Sequence, residues 1–157
     1  MLELVAVIGA AACTPEQAAL AEEVGQLLAE RGAAVVCGGR TGVMEAVCRG
    51  AQQAGGLTVG LLAGDDPAEA NSYVEIAIPT GLGEVRNALV ARAGRAVIAI
   101  GGGYGTLSEI AFALKSGRPV IGLGSWQATD GLDQPAAIRQ ASSAAQAVEW
   151  ALTSDLR

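Results

Sequence analysis

Residues 96 to 109 read AVIAIGGGYGTLSE. Ala96 to Ile100 form an apolar run with the length and branching of a buried strand. Four of the next five residues are glycine, and Thr106 to Glu109 then open a helical pattern that reaches about residue 116. Glycine costs roughly 0.5–1 kcal/mol relative to alanine when it is ordered inside a helix or strand. A cluster this dense therefore marks a turn where bare backbone is needed. A strand that runs through such a turn into a helix is the repeating half-unit of an α/β fold.

The same pattern recurs on both sides. Apolar runs at Leu2 to Ile8, Ala33 to Cys37, Leu57 to Leu62, Val74 to Ile78 and Pro119 to Leu123 join Ala96 to Ile100 as six predicted strands. Their near-continuous hydrophobicity, rather than alternation, indicates a sheet covered on both faces. Helical patterns fall at 15–31, 42–54, 82–94, 106–116 and 142–153. Thr14-Pro15-Glu16-Gln17 supplies an N-cap, a first-turn proline and a capping-box glutamine. Gly32, Gly55 and Gly117 stand where helices should end. The stretches 63–72 and 124–135 read as surface loops. Only about ten residues separate the third and fourth strands, which places them side by side at one edge, while the pattern at 82–94 carries the chain across. The expected architecture is a single domain spanning 1–157, doubly wound, with a mostly parallel sheet in the order 4-3-2-1-5-6 and helices on both faces.

Composition bounds the function. The 157 residues are 51% hydrophobic but only 3% aromatic, so elements must pack through small side chains. The formal charge is -6 with no histidine. No basic run is present, which argues against nucleic acid and membrane surfaces as partners. No apolar stretch approaches the roughly 18 residues of a spanning helix and no basic leader precedes one, so a cytoplasmic location is expected. Cys13, Cys37 and Cys48 form no C-x-x-C pair and read as small buried hydrophobes. Neither a structural metal nor a nitrogen-rich metal site is expected.

In this arrangement the glycines converge. The first strand ends in GAAACT from Gly9, the second in CGGRTGVM, and the fifth in GGGYGTLSE. All three loops open at one edge of the sheet, where open α/β sheets bind ligands. Helix N-termini carry unpaired N–H groups and the positive end of the helix dipole, which suits a phosphate. Gly38, Gly39, Gly42, Gly101, Gly102, Gly103 and Gly105 admit a ligand close to the backbone, with Arg40 and Thr41 inside the first of these loops. No lysine follows either loop, which excludes the phosphate loop of nucleoside triphosphatases, and the dinucleotide fingerprint is absent. Glu109 has two readings. Thr106 and Glu109 fit a capping box, yet a carboxylate here also reaches the ligand space. Arg86, at the start of the crossover helix, is a second anion clamp or a solvated surface residue. Trp126 and Trp150 read as packing or loop residues.

GGRTGVMEAVCRGA together with RNALVARAGRAVIAIGGGYGTLSEIAFALKSGRPVIGL resembles the Rossmann-like superfamily once labelled lysine decarboxylases, which includes the Lonely Guy phosphoribohydrolases and the molybdenum-cofactor carrier proteins. The hydrolases carry P-G-G-x-G-T-x-x-E; here Gly101 replaces the proline, while Gly102, Gly103, Gly105, Thr106 and Glu109 match. They also carry M-x-x-R-K, where this chain keeps Arg86 but has Gly83 and Asn87 at the methionine and lysine. The Arg86-Asn87 pair followed by the longer glycine motif is closer to the carrier branch. That resemblance implies a carrier for molybdopterin, whose phosphate suits the glycine loops and whose anionic molybdenum end suits Arg40 and Arg86, with Asn87 and Tyr104 beside them. It implies homodimers or homotetramers and molybdoenzymes as recipients. The alternative it implies is a nucleoside 5'-monophosphate phosphoribohydrolase with Arg86 and Glu109 as catalytic residues. A nucleotide sensor without chemistry is a third reading. A decarboxylase would need pyridoxal phosphate on a lysine, and Lys115, the sole lysine, sits at the far end of its helix.

Overall fold

The computed structural model describes residues 1–153. Seven strands form one sheet: β1 (Glu3–Gly9), β2 (Ala33–Cys37), β3 (Thr58–Leu62), β4 (Ile76–Pro79), β5 (Val97–Ile100), β6 (Val120–Leu123) and β7 (Ile138–Gln140). The order is β4-β3-β2-β1-β5-β6-β7 and every pairing is parallel. The expected order thus holds and gains a seventh strand. That strand, Ile-Arg-Gln at an edge, has a single apolar residue and none of the hydrophobic run that marks the interior strands. It lies just beyond the 124–135 segment read as a loop, within which Thr129 and Pro135 form an isolated antiparallel bridge.

Five helices flank the sheet: α1 (Pro15–Glu30), α2 (Val43–Gln53), α3 (Asn87–Ala93), α4 (Tyr104–Lys115) and α5 (Ala144–Thr153). Successive strand residues point to opposite faces. Val5, Val7, Val35, Ile98 and Ile100 accordingly pack with α1, α2 and α5, whereas Ala6, Ile8, Val36, Val97 and Ala99 pack with α3 and α4. Both faces are covered, which is why the strands carry no polar alternation. At Thr14 the capping box forms as expected, with Thr14 Oγ1 accepting from Gln17 N–H and Gln17 Oε1 accepting from Thr14 N–H, both at 3.1 Å.

Small residues set the helix spacing. A Cβ on Gly50 of α2 would run into the Glu22 carbonyl of α1, and one on Gly25 would run into the Val47 carbonyl. The two helices therefore touch backbone to backbone, and the Arg49–Glu22 ion pair at 2.8 Å closes the seam. Cys37 and Cys48 are buried with their sulfurs 3.5 Å apart, while Cys13 is half-buried. Among the described residues no helix is long and apolar enough to cross a membrane.

Candidate functional site

The order β2-β1-β5 brings together three loops that are far apart in sequence. The turns after these strands, with the start of α3, enclose a cavity of about 360 Å³ lined by Gly9, Arg40, Arg86, Asn87, Gly103, Gly105, Thr106 and Glu109. All of these were candidates from sequence. Ala10, Ala11, Met44, Ala63 and Glu84 line it too and were not. The three alanines carry no chemical signature, and Met44 and Glu84 sit in helical stretches with nothing local to mark them, so only the closing of the sheet reveals them.

The remaining candidates support this wall or lie beyond it. Gly38 is pressed against Arg86, because a Cβ there would occupy the place of the guanidinium. Gly39 (φ 73°) donates its N–H to Cys37 Sγ at 3.3 Å, and Thr41 Oγ1 donates to the Ala11 carbonyl at 2.9 Å, joining two of the loops. Gly42 N-caps α2 at φ 66°, where any side chain would strike Ala10 and Ala11. Gly101 and Gly102 line a second cavity, and the exposed Tyr104 lines neither but a third, with Val85, Ser108 and Phe112. Lys115 is at the opposite end of α4 from the cavity.

The capping-box reading of Thr106 and Glu109 is corrected. Helix α4 begins at Tyr104, two residues earlier than expected, with Gly103 as an N-cap that offers no side-chain hydrogen bond. Thr106 therefore sits within the first turn, and both Thr106 and Glu109 turn inward and are buried. The α4 N-terminus keeps unpaired N–H groups for another acceptor. Their direction follows from two hydrogen bonds: Ser125 Oγ donates to the Gly101 carbonyl at 2.6 Å and Trp126 Nε1 to the Gly103 carbonyl at 3.1 Å. In a planar trans peptide the N–H opposes its carbonyl, so the N–H groups of Gly102 and Tyr104 turn away from Ser125 and Trp126.

Arg86 is the decisive side chain. It closes a single 3-10 turn (Gly83–Arg86) ahead of α3, is only 8% exposed, and its buried Nε has no hydrogen-bond partner. An unsatisfied buried donor costs about 1–3 kcal/mol, so the position is strained until an acceptor arrives. Burial lowers the Arg86 pKa, opposed by Glu109 and Cys37 and assisted by Arg40. Burial also pushes Glu109 up to about 8, with Arg86 pulling the other way. Glu109 is thus a neutral acid near pH 7 and does not repel an anion. Arg40 is exposed at the rim. The arrangement is a cavity lined by two arginines, one of them buried, by a buried protonated carboxyl and by Glu84, with the unpaired N–H groups of the α4 N-terminus at its wall. Among the described residues no group of three or more Cys, Asp or Glu is placed to hold a metal ion.

Comparison with known proteins agrees with this architecture. The model of the SLOG cluster4 family matches residues 3–151. An uncharacterized protein of Archaeoglobus fulgidus is 44% identical over 119 residues, which is 76% of this chain and 78% of that one. Among solved structures, the molybdenum cofactor binding protein of Rippkaea orientalis aligns with a TM-score of 0.86 at 38% identity, covering 95% of this chain and 94% of that one. The molybdenum cofactor carrier protein of Chlamydomonas reinhardtii aligns with a TM-score of 0.80 at 32% identity, covering 95% of each.

Proposed function

The chain belongs to the SLOG cluster4 family, in the branch of the molybdenum cofactor carrier proteins, and from that premise we propose that it binds the molybdenum cofactor and hands it on without turnover. The observation that carries the reading is the buried, unpartnered Nε of Arg86 in a cavity that also receives the N-terminus of α4. One phosphate satisfies both, since it accepts from a guanidinium and from backbone N–H groups at once. Arg40, at the rim, adds attraction for the anionic molybdenum end. Gly38, Gly39, Thr41 and Gly42 hold the β2 loop in place around Arg86 and Ala11. Delivery to molybdoenzymes follows from the same reading.

A second reading keeps a specific observation in its favour. Glu109 is buried and protonated near neutral pH beside Arg86, a state suited to donating a proton to a departing base. The alternative function is therefore a nucleoside 5'-monophosphate phosphoribohydrolase with Arg86 and Glu109 as its catalytic residues. One experiment separates the two. Purified protein is incubated anaerobically with molybdenum cofactor and run on size exclusion, and in parallel with adenosine 5'-monophosphate followed by chromatography for adenine. Co-elution of pterin and molybdenum, lost in Arg86→Ala and without adenine release, is the expected result. Adenine release that vanishes in Glu109→Gln would establish the hydrolase instead.

The same reading includes self-association. Leu82, Val85, Leu89 and Phe112 are exposed on α3, α4 and the turn before them. They adjoin Tyr104, so a second copy covering this face would lie at the edge of the cavity.

A further inference from the structure

Cys37 and Cys48 line none of the cavities described above, yet they are more than isolated core residues. Cys37 ends β2, Cys48 lies on α2, and their sulfurs meet at 3.5 Å. The segment between them begins with the 38–42 loop, where a Cβ on Gly38 would meet the Arg86 guanidinium and the Met44 thioether. Arg86 and Met44 both line the first cavity. The sulfur pair thus sits one residue behind the wall that carries Arg86. The two thiols are also unequal. The bond to Cys48 lowers the Cys37 pKa, helped by the Gly39 N–H at 3.3 Å and by Arg86, while burial and Glu109 oppose it. The same bond pushes Cys48 up, and burial adds to this. A buried thiol among apolar groups is inert, whereas one that faces N–H donors and positive charge forms the reactive thiolate. Cys37 is therefore the nucleophile of the pair and Cys48 the thiol that resolves it.

We propose that Cys37 and Cys48 form a redox-modification site, at which a peroxide joins them as a disulfide and the closure loosens anion binding in the first cavity. Both sulfurs are buried, so a small uncharged oxidant reaches them when the 38–42 loop opens toward the cavity. The Cys37 thiolate attacks one oxygen of hydrogen peroxide, becomes a sulfenic acid and, with a proton, releases the other oxygen as water. The Cys48 sulfur then attacks the Cys37 sulfur, and its proton leaves with the sulfenic oxygen as a second water. Two thiols lose two electrons and two protons, and one peroxide is reduced to two waters. A disulfide spans about 2.05 Å, so the sulfurs must approach by about 1.5 Å. Cys48 cannot supply this movement. Gly50 and the Val47 carbonyl seat α2 backbone to backbone on α1, and Arg49 is paired with Glu22. The shift falls on Cys37, and with it on Gly38 and Gly39, which hold the loop beside Arg86. By linkage, an anion held by Arg86 opposes the closure by the same factor. The consequence for binding rests on the phosphate reading above, whereas the disulfide itself does not.

The test uses the full wild-type chain, reduced with dithiothreitol, desalted, exposed to hydrogen peroxide and then denatured with N-ethylmaleimide present. Trypsin cuts after Arg40 and Arg49 and so places Cys37 and Cys48 on separate peptides. Mass spectrometry should find these two peptides linked, two hydrogens lighter than their reduced sum, with Cys13 alkylated. Calorimetry with inorganic phosphate should show at least ten-fold weaker binding after oxidation and full recovery in dithiothreitol, and phosphate present during the peroxide step should slow the linkage. The Cys48→Ala chain should stop at a Cys37 sulfenic acid, trapped by dimedone. Three alkylated cysteines after peroxide, or oxidation confined to Cys13, would overturn the proposal. A Cys37–Cys48 link that leaves phosphate affinity as it was would overturn the coupling to the cavity. A link formed in a chain that binds no phosphate in either state would uphold the disulfide and overturn the phosphate reading.

Discussion

Replacing Glu109 by glutamine tests the electrostatics of the site without any ligand. In the folded chain burial holds this carboxyl at about 8, against an ordinary value of 4.5. Between those limits an unfolded chain has released the proton while the folded chain retains it. Stability therefore falls as pH rises through that window, and the loss is complete above about 8. At about 1.4 kcal/mol per pH unit, the interval from 4.5 to pH 7 corresponds to about 3 kcal/mol. Glutamine has nearly the same shape and never ionises, so Glu109→Gln recovers most of this. At about 2–4 °C per kcal/mol for a chain of this size, the variant should melt about 6–12 °C above the parent at pH 7. The assay is a series of thermal melts from pH 4.5 to 9. The gap between variant and parent should be near zero at the acid end, widen to about pH 8 and then stay constant. Arg86 acts directly on Glu109, and Cys37 and Arg40 act on Arg86, so Arg86→Met should enlarge the gap by removing the attraction that favours ionised Glu109. A gap that is flat across the whole range would refute the assignment of a buried, protonated Glu109.

Other perturbations follow from the packing and the loops. Gly38→Ala should displace the Arg86 guanidinium and weaken inorganic phosphate binding at least ten-fold by calorimetry. Gly50→Val should force α1 and α2 apart and cost about 1–3 kcal/mol, read as a lower midpoint in urea with an unchanged slope. Thr14→Ala removes the α1 cap and should cost about 1 kcal/mol, visible in the same titration without effect on ligand affinity. Light scattering at micromolar concentration should give a multiple of the chain mass, reduced by Leu89→Glu or Phe112→Glu; a monomeric wild-type chain would remove the α3–α4 face as an interface.

The parts of the fold legible in the sequence are those where physics leaves a dense signal. Strands β1, β2, β3, β5 and β6 are buried on both faces, so their apolar runs are nearly continuous and their boundaries lie within about two residues of expectation. Strand β4 begins later than expected, at Ile76, because Asn71 and Thr58 hold Tyr73, Val74 and Glu75 in a turn through hydrogen bonds of 2.7 to 3.2 Å. The start of α4 was misread because Thr106-Leu107-Ser108-Glu109 fits a capping box letter by letter, and only the backbone shows that the glycines themselves begin the helix. Arg86 was ambiguous because one arginine on an amphipathic helix reads the same whether solvated or buried. Its burial comes from Gly38, some fifty residues away in sequence, which no local pattern exposes. Trp126 stood outside every motif, and its bond to Gly103 depends on where β6 delivers the chain.

The cavity wall is assembled from Ala10, Arg40 and Gly103, which meet only after β5 has been inserted beside β1 on the far side from β2. No contiguous fragment shorter than residues 10–103 contains this wall. A ligand that touches all three loops cannot stabilise a partly folded chain in which the crossover is missing, and it adds stability only to the finished state, by an amount that grows with the logarithm of its concentration. Bound cargo is thus a signal of completed folding, and a chain that has lost its long-range pairing loses its cargo at the same moment.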